Sequence, residues 1–524
     1  MKAIYNTGSD FRDLRRRNCV YVDKTCYLHR LITDPGQSTF FIARPRRFGK
    51  SLMISTLKHI FQGHRDLFKG LYIDTQTDYD WKTYPVLHLD FSDINTSTES
   101  LFEEGFAECI EDALAEVGLT YNASLCPSRN MESAIITLSE VSERVIVLVD
   151  EYDTPIVHAL KNPSMAEHIR IEMARVYTTL KKMNSSIRFL MITGITALPG
   201  LSDATALNSP QSISLNPDYA AMLGYTETEL ETYFSEHMRA RAEALHMPYD
   251  TYRAELKHWF NGYRFTKAET KVYNPISIGQ TLTSLDDHIG DEWTHTGRPM
   301  MLATFLKTHD ITSLDFENGI ATTTKSLESA SDIHNLKPLA LLYQTGYLTI
   351  TQTVPGTDDI VLGFPDEEVR RDMYRFLADI SAGEEGWCQA SLEHLSNGRV
   401  DEFLKGLAAL YAGLPANAND GDFPESHYQG VLKAVMLAGG FLSHCEYVQS
   451  SKKRSDLVVD TRRFSYIFEL KRDAHLKATD AIAQIIDRKY ADPHRGKGKP
   501  IIAVGLVFDP NTHTLRDSAW KQLG

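Results

Sequence analysis

Thr39-Phe-Phe-Ile-Ala43, Arg44-Pro-Arg-Arg-Phe-Gly-Lys-Ser51 and Leu52-Met-Ile-Ser-Thr-Leu-Lys-His-Ile-Phe61 follow one another without a gap: an apolar run, a basic turn ending in Gly-Lys-Ser, and a helix-forming run. Strand, loop and helix in that order are what a phosphate loop requires. Backbone N–H groups of Arg46, Arg47, Phe48 and Gly49 and the helix start through Leu52 would surround the phosphates. Lys50 would reach the β/γ oxygens, and the Ser51 hydroxyl would bind Mg²⁺. The first glycine of GxxxxGK[ST] would fall at position 44, where the chain has Arg44. Arginine does not take positive φ cheaply, so the turn must differ there or Arg44 must sit in an allowed region. Gly-Lys-Ser alone is a weak signal, and a plain basic turn has the same letters.

Outward from this stretch, Val86-Leu-His-Leu-Asp-Phe91, Val145-Ile-Val-Leu-Val149 and Phe189-Leu-Met-Ile-Thr193 are further short apolar runs with helix-length connections. Such runs read as strands buried on both faces, so the first ~220 residues predict an α/β fold with a doubly wound, mainly parallel sheet. Its ligand edge lies at the C-terminal strand ends. Val145–Val149 runs straight into Asp150 and Glu151, placing Asp150 to hold Mg²⁺ and Glu151 to polarise an attacking water. Acids capping a following helix give the same pattern, and Asp153-Thr-Pro155 supplies such a cap unaided. Thr193 ends the next strand, where it suits either a γ-phosphate contact or a buried strand end.

The 524 residues predict roughly three domains, drawn here at 1–220, 221–390 (mostly helical) and 391–524. Turn-forming Ser381-Ala-Gly-Glu-Glu-Gly386 and Asn417-Ala-Asn-Asp-Gly-Asp422 are candidates for the last boundary. The net charge of −14 is uneven: residues 1–50 carry 11 Lys and Arg against 4 acids and residues 451–524 carry 15 against 9, leaving −27 in between. Basic ends can bind a polyanion despite the total, because distant exposed charges are screened; solvated side chains read the same. No run approaches the ~18 apolar residues of a membrane span. The start of the chain lacks an apolar signal segment. The six cysteines form no CxxC pair. A cytoplasmic protein without membrane contact is the expectation.

Near the C-terminus the pattern is strand (444–450), strand (455–460), strand (464–471), helix (475–490), strand (501–509). With Asp460-Thr-Arg-Arg-Phe-Ser465 as the turn, paired residue numbers sum to 925 and Asp456 lies opposite Glu469. Opposed carboxylates have Cβ atoms ~5 Å apart, close enough to share a divalent ion. Period two adds Lys471 to that face, while Leu457, Val459, Phe468 and Leu470 make the other face apolar. A slip of one residue separates the acids. Two carboxylates, Mg²⁺ or Mn²⁺, and a lysine are what phosphodiester hydrolysis needs; a surface salt bridge is the plainer alternative. Lys452-Lys-Arg454, Arg462, Arg463, Lys477, Arg488, Lys489 and Arg495 could follow a nucleic-acid backbone.

Arg44–Ser51, Asp150-Glu-Tyr-Asp153 and Thr193-Gly-Ile-Thr196 resemble the prokaryotic AAA-ATPase-like proteins in which such a domain precedes a PD-(D/E)xK nuclease-superfamily domain. Phe260-Asn-Gly-Tyr-Arg-Phe265, Tyr273-Asn-Pro275, Thr296-Gly297, Tyr343-Gln-Thr-Gly-Tyr-Leu348 and Leu362-Gly-Phe-Pro365 extend the likeness over nearly the whole chain. Arginine at position 44 is typical of that family. The resemblance implies a C-terminal restriction-endonuclease-like αβββαβ domain with Asp456, Glu469 and Lys471 as its catalytic set. Glu425 would be an additional helix acid and metal ligand, and Gln484 the trailing residue. A first-turn Glu425 is also favoured by the helix dipole alone. The function expected is ATP binding and hydrolysis coupled to metal-dependent cleavage of nucleic acid, DNA in the first instance, with defence or mobile-element handling as implied roles. The alternatives are a nucleotide-sensing scaffold that binds without cutting and a phosphotransferase, for which no acceptor site is visible. A homo-oligomer is compatible with the sequence and not specified by it.

Overall fold

The computed structural model describes residues 1–524 except 7, 143, 198–209, 286–288, 291–318, 329–336, 383–385, 414–424, 440, 449–453, 497 and 524. Thr296-Gly297, Asn417–Asp422 and Lys452-Lys453 lie outside the described residues, as do residues 383–385 of the other candidate boundary. The chain divides into two compact units, Met1–Glu368 and Val369–Gly524.

In the first unit, β1 (Thr39–Ala43), β2 (Val86–Asp90), β3 (Val145–Asp150), β4 (Ile187–Gly194) and β5 (Gln211–Ser212) form a parallel sheet in the order β2-β3-β4-β1-β5. Every residue of β1 and β3 is buried, which is why both read as unbroken apolar runs rather than alternating ones. Each fully buried Val, Leu, Ile or Phe contributes roughly 1.5–3 kcal/mol. The strand order places β4 between the phosphate-loop strand and the acid-bearing strand, with Thr193 opposite Ile42 and Ile192 opposite Val149. Thr193 thus sits beside both.

Residues beyond the sheet form the helices Glu227–Ala244, Tyr249–Phe260, Pro275–Thr283 and Pro338–Gln344. The first starts in a capping box between Thr226 and Glu229. This region also contains a two-stranded ribbon of β6 (Asn261–Tyr263) and β7 (Val272–Tyr273), and a three-stranded antiparallel sheet of β8 (Ile320–Thr323), β9 (Thr349–Thr353) and β10 (Asp359–Gly363). Its core of Leu230, Phe234, Met238, Tyr252, Leu256, Phe260 and Tyr273 includes Val22 from near the N-terminus. A Cβ on Gly262 would lie 1.5 Å from the Pro365 carbonyl oxygen, so two of the quoted motifs meet backbone to backbone.

The second unit holds β11 (Leu442–Val448), β12 (Arg454–Asp460), β13 (Ser465–Arg472), β14 (Ile501–Phe508) and β15 (Leu515–Leu523) in sequential order, with β13 and β14 parallel and the other neighbours antiparallel. The helix Ala478–Asp487 is the crossover between β13 and β14 and buries Ile482 and Ile485 against Val458 and Ile467. The opposite face is covered by the helices Trp387–Ser396, Val400–Gly413 and Glu425–Ala438, through Phe403 on Phe468 and Tyr428 stacked 4.2 Å from Phe508. The edge strand β15 follows the expected β-α-β close of the domain and carries no apolar run that would mark it in the sequence. Arg516, Asp517 and Lys521 interrupt its apolar residues, as befits an exposed edge.

Candidate functional site

The phosphate loop leaves β1 at Arg44, which is not among the positive-φ residues; left-handed backbone falls instead at Arg47 (φ +68°) and Gly49 (φ +90°). This is how the loop dispenses with a glycine at position 44. The Arg44 guanidinium is buried, donates 2.7 Å to the Ser214 carbonyl next to β5, and lies 4.3 Å over the Phe265 ring. The Phe48 side chain is buried edge-on against Tyr263 and Phe265, so only its backbone is available to a phosphate. Gly49 precedes the helix Lys50–Phe61, and buried Lys50 donates to the Arg44 and Pro45 carbonyls at 3.0 Å each. Burial lowers the Lys50 pKa, against the pull of Glu151, Asp150 and Asp153.

At the adjacent strand ends the Thr193 hydroxyl donates to Asp150 Oδ1, and Glu151 N–H donates to the same oxygen at 3.1 Å. Glu151 has φ +50° and accepts from the Thr154 hydroxyl at 2.9 Å. A left-handed non-glycine residue at a strand end is strained backbone of the kind that collects at functional sites. Asp153 does not cap the helix Thr154–Ala159, as its sequence position suggested. It is fully buried and accepts from Ile195 N, Thr196 N and the Thr196 hydroxyl, locking the segment after β4. Unprotected backbone donors beyond β4 outbid the helix terminus for the carboxylate. A Cβ on Gly194 would come within 2.6 Å of Tyr152 and Asp153, which requires glycine there.

A cavity of about 580 Å³ brings together Arg47, Phe48, Gly49, Lys50, Ser51, Leu52 and Glu151. Arg46, Asp150 and Thr193 do not line it, although Asp150 and Thr193 stand directly behind Glu151. Its far wall is apolar and comes from three distant stretches, including Tyr5, Val22, Leu223, Tyr225 and Ile276. Lys24, also lining it, is paired at 2.6 Å with Glu229, tying the N-terminal segment to the helix Glu227–Ala244. These wall residues were missed in the sequence; they carry no motif and meet only through tertiary packing. The volume and lining suit a nucleoside attached to the phosphates.

In the second unit the β12–β13 ladder pairs Leu457 with Phe468 and Asp460 with Ser465, the register in which residue numbers sum to 925. At Asp456 the backbone ladder gives way: the Asp456 carboxylate accepts the Leu470 N–H at 2.7 Å, while its carbonyl accepts from Gln429. Lys471 Nζ lies 2.8 Å from Glu469 Oε1, which also accepts from the Gln484 side chain on the crossover helix. Glu425, the first residue of its helix, accepts from Arg472 N–H at 3.2 Å. Asp456, Glu469, Lys471, Gln484 and Glu425 therefore meet at one end of the sheet. Arg462, Arg463, Lys477, Arg488, Lys489 and Arg495 are exposed. Tyr490 lies past the crossover helix and is buried.

Burial, then the charges of Asp456 and Glu425, push the Glu469 carboxyl up to about 7 against the pull of Lys471. Burial and Asp456 likewise raise Glu425. Burial works against the Lys471 charge, but Glu469, Asp456 and Glu425 outweigh it and raise its pKa. Glu469 Oε2 is buried without a hydrogen-bond partner. Among the described residues no group of three or more His, Cys, Asp or Glu side chains is placed to hold a metal ion. An orphaned carboxylate oxygen among mutually repelling acids nonetheless fits a hard divalent cation whose remaining ligands come from water or substrate.

Residues 7–200 match the AAA-ATPase-like family model, described as predicted AAA-ATPase, and residues 423–518 match that of the PD-(D/E)XK nuclease superfamily. A protein of Azotobacter chroococcum mcd 1, named "uncharacterized protein in vnfD 5'region", is 29% identical over 517 residues covering 96% of each chain. Among the described residues no helix is long and apolar enough to cross a membrane. The chain carries an AAA-ATPase-like domain followed by a C-terminal domain of the PD-(D/E)XK nuclease superfamily.

Proposed function

We propose that the chain hydrolyses ATP in its N-terminal domain and uses nucleotide state to regulate metal-dependent cleavage of DNA by its C-terminal domain. The observation that carries the nuclease half is the unpartnered, buried Glu469 Oε2 beside Asp456 and Lys471. Asp456 and Glu469, with Glu425 at the margin, would hold Mg²⁺ or Mn²⁺. When bound, the ion supplies an acidified water and positive charge for the pentavalent phosphorus centre. Gln484 would orient Glu469, and Lys471, kept charged by the acids around it, would orient the nucleophile and offset charge on the phosphate. Exposed arginines and lysines suit backbone contacts without base reading.

For the nucleotide half, the helix N-terminus at Lys50 and the cavity beside it would bind the triphosphate and nucleoside, with Ser51 and Asp150 on Mg²⁺ and Glu151 against the attacking water. Lys50 would exchange two carbonyls for phosphate oxygens. A cytoplasmic defence or mobile-element role belongs to this reading, and a homo-oligomer is compatible with it. The test is cleavage of circular and linear DNA by purified protein with Mg²⁺ or Mn²⁺, with and without ATP, beside Glu469→Gln. Cleavage that disappears in the variant supports the nuclease. Cleavage retained in full rules it out, and silence of the wild type on DNA and RNA favours a nucleotide-sensing scaffold. Equal cleavage with and without ATP separates the two halves.

A further inference from the structure

Two stretches singled out in the sequence, Phe260–Phe265 and Tyr343–Leu348, take no part in the chemistry above, yet both pack against the phosphate site. The Tyr343 hydroxyl donates 2.8 Å to the Phe265 carbonyl, and the Phe265 ring carries Arg44 on its face and Phe48 at its edge. Gly346 has φ +88°, and a Cβ there would lie 2.8 Å from Pro45 in the phosphate loop. Between them, buried Gln344 reaches the other half of the site: its Oε1 accepts the Ala197 N–H at 3.0 Å, and its Nε2 donates 2.8 Å to the Leu327 carbonyl. With both amide ends engaged, only one side-chain orientation satisfies both partners.

Ala197 lies four residues beyond Thr193. Asp153 holds the two N–H groups before it, of Ile195 and Thr196, and Gln344 takes the next one. Arg44, Pro45, Ala197, Ser214, Tyr343 and Gln344 surround a cavity of about 30 Å³, room for one water. The Arg44 Nε and Nη2 atoms are buried without protein partners. One turn thus grips both the loop that would carry the phosphates and the strand end that carries Thr193.

We propose that Gln344 is a positioning residue for nucleotide hydrolysis: it clamps the segment leaving β4, so that Thr193 stays on Asp150 and Asp150 and Glu151 keep their relation to the loop. This rests on the nucleotide reading above. The clamp lies outside the 580 Å³ cavity, so its loss alters turnover while leaving binding in place.

The test compares full-length wild type with Gln344→Met, which keeps length and loses both hydrogen bonds, and Gln344→Glu, which keeps an acceptor for Ala197. Three quantities are read: affinity for a fluorescent ATP analogue, single-turnover phosphate release with Mg²⁺, and hydrogen exchange of the amides of residues 193–197. Expected for Gln344→Met are a dissociation constant within about threefold of wild type, release slowed about tenfold, the cost of about one hydrogen bond, and faster exchange over 193–197. Gln344→Glu falls between. Binding and release falling together, or release and exchange both unchanged, overturns the assignment. If Gln344→Met loses its cooperative thermal transition, Gln344→Glu decides: slowed release with retained binding supports the clamp, and unchanged release overturns it. Wild type that binds the analogue and releases no phosphate refutes the hydrolysis reading instead. Exchange over 193–197 then judges Gln344 alone, faster in Gln344→Met if the clamp exists and equal if it does not.

Discussion

The two sites handle buried charge in opposite ways. Around the phosphate loop the lysine and the acids have protein partners: Lys50 two carbonyls, Asp150 the Thr193 hydroxyl and Glu151 N–H, Glu151 the Thr154 hydroxyl, Asp153 three donors; Arg44 keeps Nε and Nη2 buried without one. At the end of β13, Glu469 keeps one buried oxygen without a partner and is crowded by two further acids. The first site is closed on itself and must exchange internal hydrogen bonds for ligand. The second is left unsatisfied, and under the proposed function a cation would supply what the chain does not. Removing the Lys50 charge should therefore cost stability at the first site and removing the Glu469 charge should add stability at the second, while each change lowers the activity proposed for its site.

The largest effect expected is on cleavage. Glu469→Gln removes the proposed anionic ligand, and loss of several kcal/mol of metal-derived stabilisation would lower the Mg²⁺-dependent rate on the order of 10³-fold. Gel-based cleavage at saturating Mg²⁺ measures it; a loss under tenfold would mean that the unpaired oxygen is incidental. Next comes Lys50→Ala. Losing charge-assisted contacts of ~1.5–3 kcal/mol weakens ATP binding about 10- to 100-fold, measured by calorimetry. The same change strands two carbonyls and lowers the melting temperature. Weakened binding with undiminished stability would break the contrast between the sites.

Part of this contrast was legible in the sequence. Apolar runs ending in Asp150-Glu151 and Thr193 mark strands whose C-terminal ends share one edge. The six residues Asp460–Ser465 set the hairpin register from Asp460 and Ser465 to Leu457 and Phe468, where the ladder ends one pair short of Asp456 and Glu469. What was not legible depends on contacts far apart in the chain. Nothing near Arg44 announces Phe265 as its stacking partner, 221 residues away. Asp153 resembles a helix cap by its neighbours Thr154 and Pro155, and only the folded path of Ile195 and Thr196 takes its carboxylate elsewhere. The apolar cavity wall joins Tyr5, Val22, Tyr225 and Ile276, which share no periodicity.

The pH dependence of stability sharpens the comparison without any nucleic acid. Glu469 titrates at about 7 in the folded protein, above its ordinary value of 4.5. A raised carboxyl pKa means that the folded state holds the proton more tightly. The stability this provides is full below pH 4.5, declines as the pH rises through about 7, and is gone above it. Glu469→Gln does not undergo this loss, so in EDTA the two proteins melt similarly near pH 5 and the variant is more stable at pH 8, by about 2 kcal/mol. Mg²⁺ should close the gap at pH 8 by stabilising the wild type alone. A pH-independent difference would mean that Glu469 is not held protonated.

The smallest effect belongs to Glu151, the one strained acid of the closed site. Its backbone sits at φ +50°, which asparagine tolerates better than glutamate, whereas its carboxylate holds only the exchangeable Thr154 hydroxyl bond. In Glu151→Asn the relief of backbone strain offsets the lost hydrogen bond, so the melting free energy stays within about 1 kcal/mol of wild type. Under the proposed function phosphate release nevertheless falls, because the carboxylate proposed to polarise the attacking water is gone. A residue whose removal leaves the fold intact and silences turnover is held in strained backbone by the requirements of the site. If Glu151→Asn instead unfolds the domain while leaving its residual turnover per folded molecule unchanged, Glu151 serves the fold, and the closed site has no acid left over for chemistry.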